Sequence, residues 1–135
     1  MADARRRHFT GTPWEAQVGY CRALRVGDRI VVSGTLGVDA DARPAGDAYG
    51  QSKAALARIV EAVETLGGSA GDIVRTRIYA TDVARDFPAI GRAHAEIFAD
   101  SPPASTMIGI AALAVDGCVV EIEAEAVVAG DESGA

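Results

Sequence analysis

The most regular pattern in the chain lies near its C-terminal end. From Cys118 onward, Cys118, Val120, Ile122, Ala124, Ala126 and Val128 alternate with Val119, Glu121, Glu123, Glu125 and Val127. Because successive side chains of a strand point to opposite faces, this alternation predicts a strand with one apolar face and one acidic face. The preceding run, with Met107, Ile108, Ile110 and Leu113, is apolar on both sides. Asp116-Gly117 between the runs supplies the residue types of a two-residue type I′ turn, so the pattern predicts a terminal hairpin. A strand apolar on both faces beside one with an acidic face implies a sheet covered by helices on one side. Something else, such as a second subunit, then covers part of the other side. The three carboxylates stand about 7 Å apart along the strand and need partners or water. A solvated sheet edge would satisfy them, and so would a pocket.

The rest of the chain reads as six further segments. Residues 1–19 form an irregular arm punctuated by Gly11, Pro13 and Gly19, with Phe9 and Trp14 as anchors onto the body. Tyr20 to Val26 predicts a strand, Gly27-Asp28 a tight turn, and Arg29 to Ser33 the antiparallel return. Gly34 and Gly37 break that strand after Ser33, and a glycine at a strand end marks close approach of backbone to a neighbour or ligand. After the polar loop Asp39 to Pro44, the period becomes helical from about Asp47. Leu56, Ile59, Val60, Val63 and Leu66 make the stripe, and Gly67-Gly68 the C-cap. Ile73 to Thr81 alternates as a strand, with Arg75, Arg77 and Tyr79 on one face. Asp86 suits the N-cap of a second helix, with Pro88 in its first turn and a buried stripe of Phe87, Ile90, His94, Ile97 and Phe98. The order β-β-α-β-α-β-β is that of an α+β fold, a mixed sheet with both helices on one face. At 135 residues the chain is read as a single domain, 1–135.

Composition narrows the function classes. No apolar run approaches the ~18 residues of a membrane span, and MADARRRHF has no apolar segment behind its charges, so no membrane role is expected. Two cysteines, Cys21 and Cys118, are too few for a disulfide framework, and the expected setting is cytoplasmic. A net charge of −6 disfavours a nucleic-acid partner, which would need concentrated positive charge. Arg5-Arg6-Arg7 is explained equally well by a frayed terminus.

Motifs alone disclose no reaction. GGSAG at 67–71 follows a helix and precedes a strand, the reverse of a phosphate-binding loop. His8 sits in the arm, and His94 on an apolar stripe reads as a packed histidine rather than a base. No Cys/His cluster has metal-ligand spacing, and there is neither a nucleophile elbow nor a dinucleotide fingerprint.

Several stretches, taken together, nevertheless resemble the Rid (YjgF-like, reactive-intermediate deaminase) family. They are Gly19-Tyr20-Cys21-Arg22-Ala23, VGDRIVVSG at 26–34, Asp72 to Tyr79, DFPAI at 86–90, Pro103-Ala104, and VEIEAEAVV at 120–128. They run in the family's order from about residue 17 to 128. The resemblance implies a chorismate-mutase-like fold and a homotrimer built around a central barrel, with small-molecule clefts between subunits. It also implies hydrolysis of imines and enamines without a cofactor. Carried over by position, Glu121 matches the residue that positions the attacking water, and Tyr20 and Ser33-Gly34 match the cleft lining. Gly91 stands where the family usually has asparagine. Ser105, followed by Thr106, stands where the deaminases carry an arginine that clamps the substrate carboxylate. The resemblance is thus to a branch lacking that arginine; Arg22, Arg77 or Arg92 could reach the cleft from another element. A non-catalytic ligand-binding or regulatory trimer is the alternative reading, and an endoribonuclease the weaker one.

Overall fold

In the computed structural model, which describes residues 4–129, the acidic-faced strand lies at the centre of the sheet. Six strands are present: β1 (Arg5–His8), β2 (Ala23–Val26), β3 (Arg29–Leu36), β4 (Ile73–Ala80), β5 (Ala104–Gly109) and β6 (Val120–Val127). Their spatial order is β1-β2-β3-β6-β4-β5. Two helices, α1 (Ala48–Thr65) and α2 (Val83–Phe98), pack on one face. The fold is α+β with a mixed sheet, as the strand and helix periods imply.

The helix-covered face is the core. Val120, Ile122, Ala124 and Ala126 of β6 are buried against Leu56, Ile59 and Val63 of α1 and Ile90 and Phe98 of α2. Asp47 caps α1, its side chain accepting from the Gly50 N–H at 2.9 Å. Gly37 cannot carry a side chain, because a Cβ there would stand 2.0 Å from the Gln51 carbonyl oxygen. Strand β3 therefore runs hard against α1, the close approach expected of a strand-end glycine.

Several expectations need correction. The terminal strands do not form a hairpin: β5 pairs in parallel with β4, and β6 lies antiparallel between β3 and β4. The crossover through α2 forces β5 parallel to β4, which leaves β6 to return through the middle. Asp116-Gly117 still turns the chain, with Cys118 N–H donating to Val115 C=O at 3.1 Å, but only Gly117 has a positive φ (87°). A type I′ turn needs two. Gln51 fixes this loop to α1, donating to Gly117 C=O at 3.1 Å and accepting from Val119 N–H at 2.8 Å. As an edge strand, β5 is also not buried on both faces; Ile108 is 47% exposed.

The arm is more ordered than read. Arg5–His8 pairs with β2, and Glu15–Gly19 makes a single π-helical turn. Pairing of β1 with β2 and an Arg6 hydrogen bond to Leu66 C=O at 3.2 Å tie the arm to the body. Buried Glu15 braces it internally, accepting from the Thr10 and Gly11 N–H groups, at 3.2 and 3.1 Å, and from the Thr10 hydroxyl at 2.6 Å. Phe9 and Trp14 are exposed. Tyr20 precedes the strand, which begins at Ala23, and β3 continues past Ser33 to Leu36. Finally, α2 is capped by Asp82, which accepts from Arg85 N–H at 3.1 Å, so Asp86 and Pro88 lie inside the helix and Phe87 faces solvent.

Candidate functional site

The three glutamates of β6 share the face opposite the helices, as their alternation requires, but they differ in company. Glu125 accepts from Arg29 at 2.9 Å and from Arg77 at 3.0 Å. Glu123 accepts from Arg77 at 3.2 Å and from the Tyr79 hydroxyl at 2.6 Å. Glu121 accepts no hydrogen bond from the described residues and lines a cleft of about 870 Å³. The same alternation thus yields two structural carboxylates and one that is free for chemistry.

A bulge in β3 shapes the Glu121 end of the row. Val32 pairs with Ala124 and Thr35 with Ile122, so one extra residue is accommodated at Ser33-Gly34. Gly34 then faces Glu121, whose carboxylate oxygens would lie 3.2 and 3.3 Å from a Cβ at that position. Desolvation raises the Glu121 pKa above its ordinary 4.5; the Arg22 charge opposes this, and Glu123 adds to it. The cleft therefore holds a half-buried carboxylate that is a stronger base than a solvated one.

Tyr20 lines the same cleft, and the guanidinium of Arg22 lies over its ring, 5.7 Å from the centroid. Ser33 does not line it. Its hydroxyl donates to Cys21 C=O at 2.8 Å, beside a smaller hollow that Tyr20 also borders. Gly91, Ser105 and Thr106 are likewise not among the residues lining the cleft within one chain. Gly91 opens into empty space on α2. The Ser105 hydroxyl lies 2.7 Å from that of buried Thr76, which is itself 2.8 Å from His94 Nε2. Thr106 stands in register with Arg77. His94 packs on Phe98 with ring centroids 4.6 Å apart, and burial lowers its pKa, in keeping with a packed histidine.

Of the three arginines that could replace the missing clamp, Arg77 is committed to Glu123 and Glu125, and Arg92 lies 4.4 Å from the ring centroid of Tyr49. Arg22 reaches the cleft. Arg58, which lies off the apolar stripe of α1, does so too. Burial, followed by the charge of Arg22, lowers the Arg58 pKa. Only the end of β3, whose Leu36 carbonyl Arg58 holds at 2.7 Å, brings the two arginines to one wall.

Comparison with known proteins agrees with this architecture. The family model described as Endoribonuclease L-PSP matches residues 10–128, and the chain belongs to this family, the YjgF/RutC/Rid group. An uncharacterized protein of Streptomyces coelicolor is 36% identical over 126 residues, 93% of each chain. The 3-aminoacrylate deaminase RutC of Acinetobacter baylyi is 32% identical over 102 residues, 74% of this chain and 80% of that one. A crystal structure from Mycobacterium tuberculosis, described as a member of the YjgF/YER057c/UK114 family, superposes with a TM-score of 0.85 at 39% identity. It covers 93% of this chain and 100% of that one.

Proposed function

We propose that the protein hydrolyses small imines or enamines to a carbonyl product and ammonia in this cleft, with Glu121 as the residue that orients and deprotonates water. The observation that carries the reading is the half-buried Glu121 carboxylate, without a hydrogen-bonded partner among the described residues and set against Gly34 in the cleft. Similarity to a relative named as an aminoacrylate deaminase supports the same reaction class.

The chemistry asks little of the protein. An iminium carbon is already electrophilic. As a water oxygen adds to it, Glu121 takes the water's proton, giving a tetrahedral amino alcohol and a carboxylic acid. The acid returns the proton to nitrogen, the C–N bond breaks, and ammonia leaves as the Glu121 carboxylate takes the hydroxyl proton and the carbonyl forms. An enamine joins this sequence after protonation at carbon. Desolvation favours the first step by making Glu121 more basic. Tyr20 and the Gly34 backbone line the site in this reading, and no cofactor takes part.

The assembly belongs to the same proposal. Val31 and Ile108 lie on the open sheet face, where they are 46% and 47% exposed. A homotrimer would cover that face, and a neighbouring copy is what would bring Ser105, Thr106 and Gly91 to the cleft. The deciding experiment is ammonia release from 2-iminobutanoate and 3-aminoacrylate by the purified protein. No rate above the uncatalysed background would leave a non-catalytic ligand-binding trimer as the better reading.

A further inference from the structure

The arm gives the cleft an apolar wall that the core does not use and the proposed chemistry does not explain. Trp14 and Val18 stand one helical turn apart just before Tyr20, and both line the cleft. They are 36% and 72% exposed, and neither belongs to the hydrophobic core. Leu36, Val38 and Ala114 line the same hollow, so the exposed carbon of the turn borders further apolar surface. Exposed apolar side chains gathered around a concavity mark a site for an apolar group. The turn that carries them is fixed. Burial disfavours the charge of Glu15, but its bonds with Thr10 and Gly11 and the nearby Arg22 charge outweigh this and lower its pKa. The Glu15 charge in turn offsets part of the burial that lowers the Arg58 pKa, which ties the turn to the arginine wall of the cleft. At about 870 Å³ the cleft is also far larger than a small aliphatic imine needs, and falls within the roughly 300–1,000 Å³ of sites for drug-sized ligands.

We infer that Trp14 and Val18 form a specificity wall, so that the cleft takes imines or enamines, and their carbonyl products, bearing a bulky apolar or aromatic substituent in preference to small aliphatic ones. Tryptophan presents a wide apolar face, and offset stacking on an aromatic ring adds to the area it buries. Val18 extends that face by one turn. The reacting carbon would lie at the Glu121 and Gly34 end, with the substituent covering the turn. This assignment rests on the proposed reaction for the role of Glu121, but selection of the substituent can be read by binding alone.

Trp14 is the chain's one tryptophan, so its fluorescence reports on the wall directly. The probes are 2-oxo-4-phenylbutanoate and 2-oxobutanoate, stable product analogues that differ by a phenyl group, titrated by fluorescence and by ligand-detected NMR. Parent protein, Trp14→Ala, Trp14→Phe and Val18→Ser are compared, with thermal melts showing that each is folded. The parent should bind the phenyl compound about tenfold more tightly or better, with a change in Trp14 emission. Trp14→Ala should weaken that binding on the order of tenfold and leave 2-oxobutanoate unchanged, and Trp14→Phe should restore most of the loss. Val18→Ser should act in the same direction but less. If Trp14→Ala fails to fold, the Val18→Ser result decides alone. A Trp14-dependent preference in a protein that turns over no imine would uphold the wall and remove the hydrolase. Equal affinity for the two acids, a preference that Trp14→Ala leaves intact, no binding by the parent, or an emission that neither acid perturbs would overturn the wall, whatever the activity.

Discussion

Gly34 and Glu121 meet across the bulge of β3, where a Cβ at position 34 would stand 3.0 Å from the Glu121 Cδ. The hydrogen on the glycine leaves space that the carboxylate occupies. Backbone conformation does not demand glycine here, because φ at this position is not positive.

Gly34→Ala therefore tests the placement of the carboxylate rather than the fold. The new methyl meets the far end of a flexible side chain, so Glu121 should yield by a few tenths of an ångström while the melting temperature changes little. Misplacing a catalytic group by such amounts lowers rates, and a fall of about tenfold or more in kcat/KM is expected. Unchanged kinetics in a folded Gly34→Ala protein would show that the position of Glu121 does not matter to the reaction.

The raised pKa of Glu121 has two consequences with opposite signs. Folded protein retains this proton to higher pH than the unfolded chain, so the group makes stability fall as pH rises from the unfolded value through the folded one. Glu121→Gln should thus melt higher than the parent at pH 7, with the difference closing below about pH 4, where both states are protonated. Activity runs the other way. If the carboxylate is the base, kcat/KM rises with pH through an inflection above the ordinary glutamate value of 4.5. Melting curves and rate profiles over pH 4 to 8 check both, and a Glu121→Gln protein less stable than the parent at pH 7 would contradict the burial argument.

Much of this was legible in the chain. The alternation at 118–128 places the three glutamates on one face, and the stripe from Leu56 to Leu66 places α1. The pairing of β5 and β6 was not, because Asp116-Gly117 looks the same whether it closes a hairpin or turns a loop. Only the α2 crossover decides between them. The start of α2 was misplaced because Asp82 and Asp86 are both competent caps, and the difference lies in which one reaches a free N–H. For the site, alternation could not say which glutamate lacks a partner, since Arg29 and Arg77 come from β3 and β4. Arg58 was hidden for a similar reason: a position off an apolar stripe says nothing of the cleft until the end of β3 packs over it.

The open sheet face gives a prediction about assembly. With Val31 and Ile108 each nearly half exposed beside the paired glutamates, light scattering at micromolar concentration should give about three times the chain mass. Val31→Glu would place a like charge opposite Glu125, its register partner, and should dissociate the assembly. A monomeric parent would remove the intersubunit part of the proposal.

The most direct measurement is the ammonia-release rate of Glu121→Gln beside Glu125→Gln, on 3-aminoacrylate and 2-iminobutanoate. Glu125 is held by Arg29 and Arg77, whereas Glu121 alone of the three lines the cleft. Turnover should fall by about 10²- to 10⁴-fold in Glu121→Gln, the usual cost of losing a positioned general base, and stay near the parent rate in Glu125→Gln. Equal losses in the two variants, or full activity in Glu121→Gln, would contradict the assignment of Glu121 as the group that activates water.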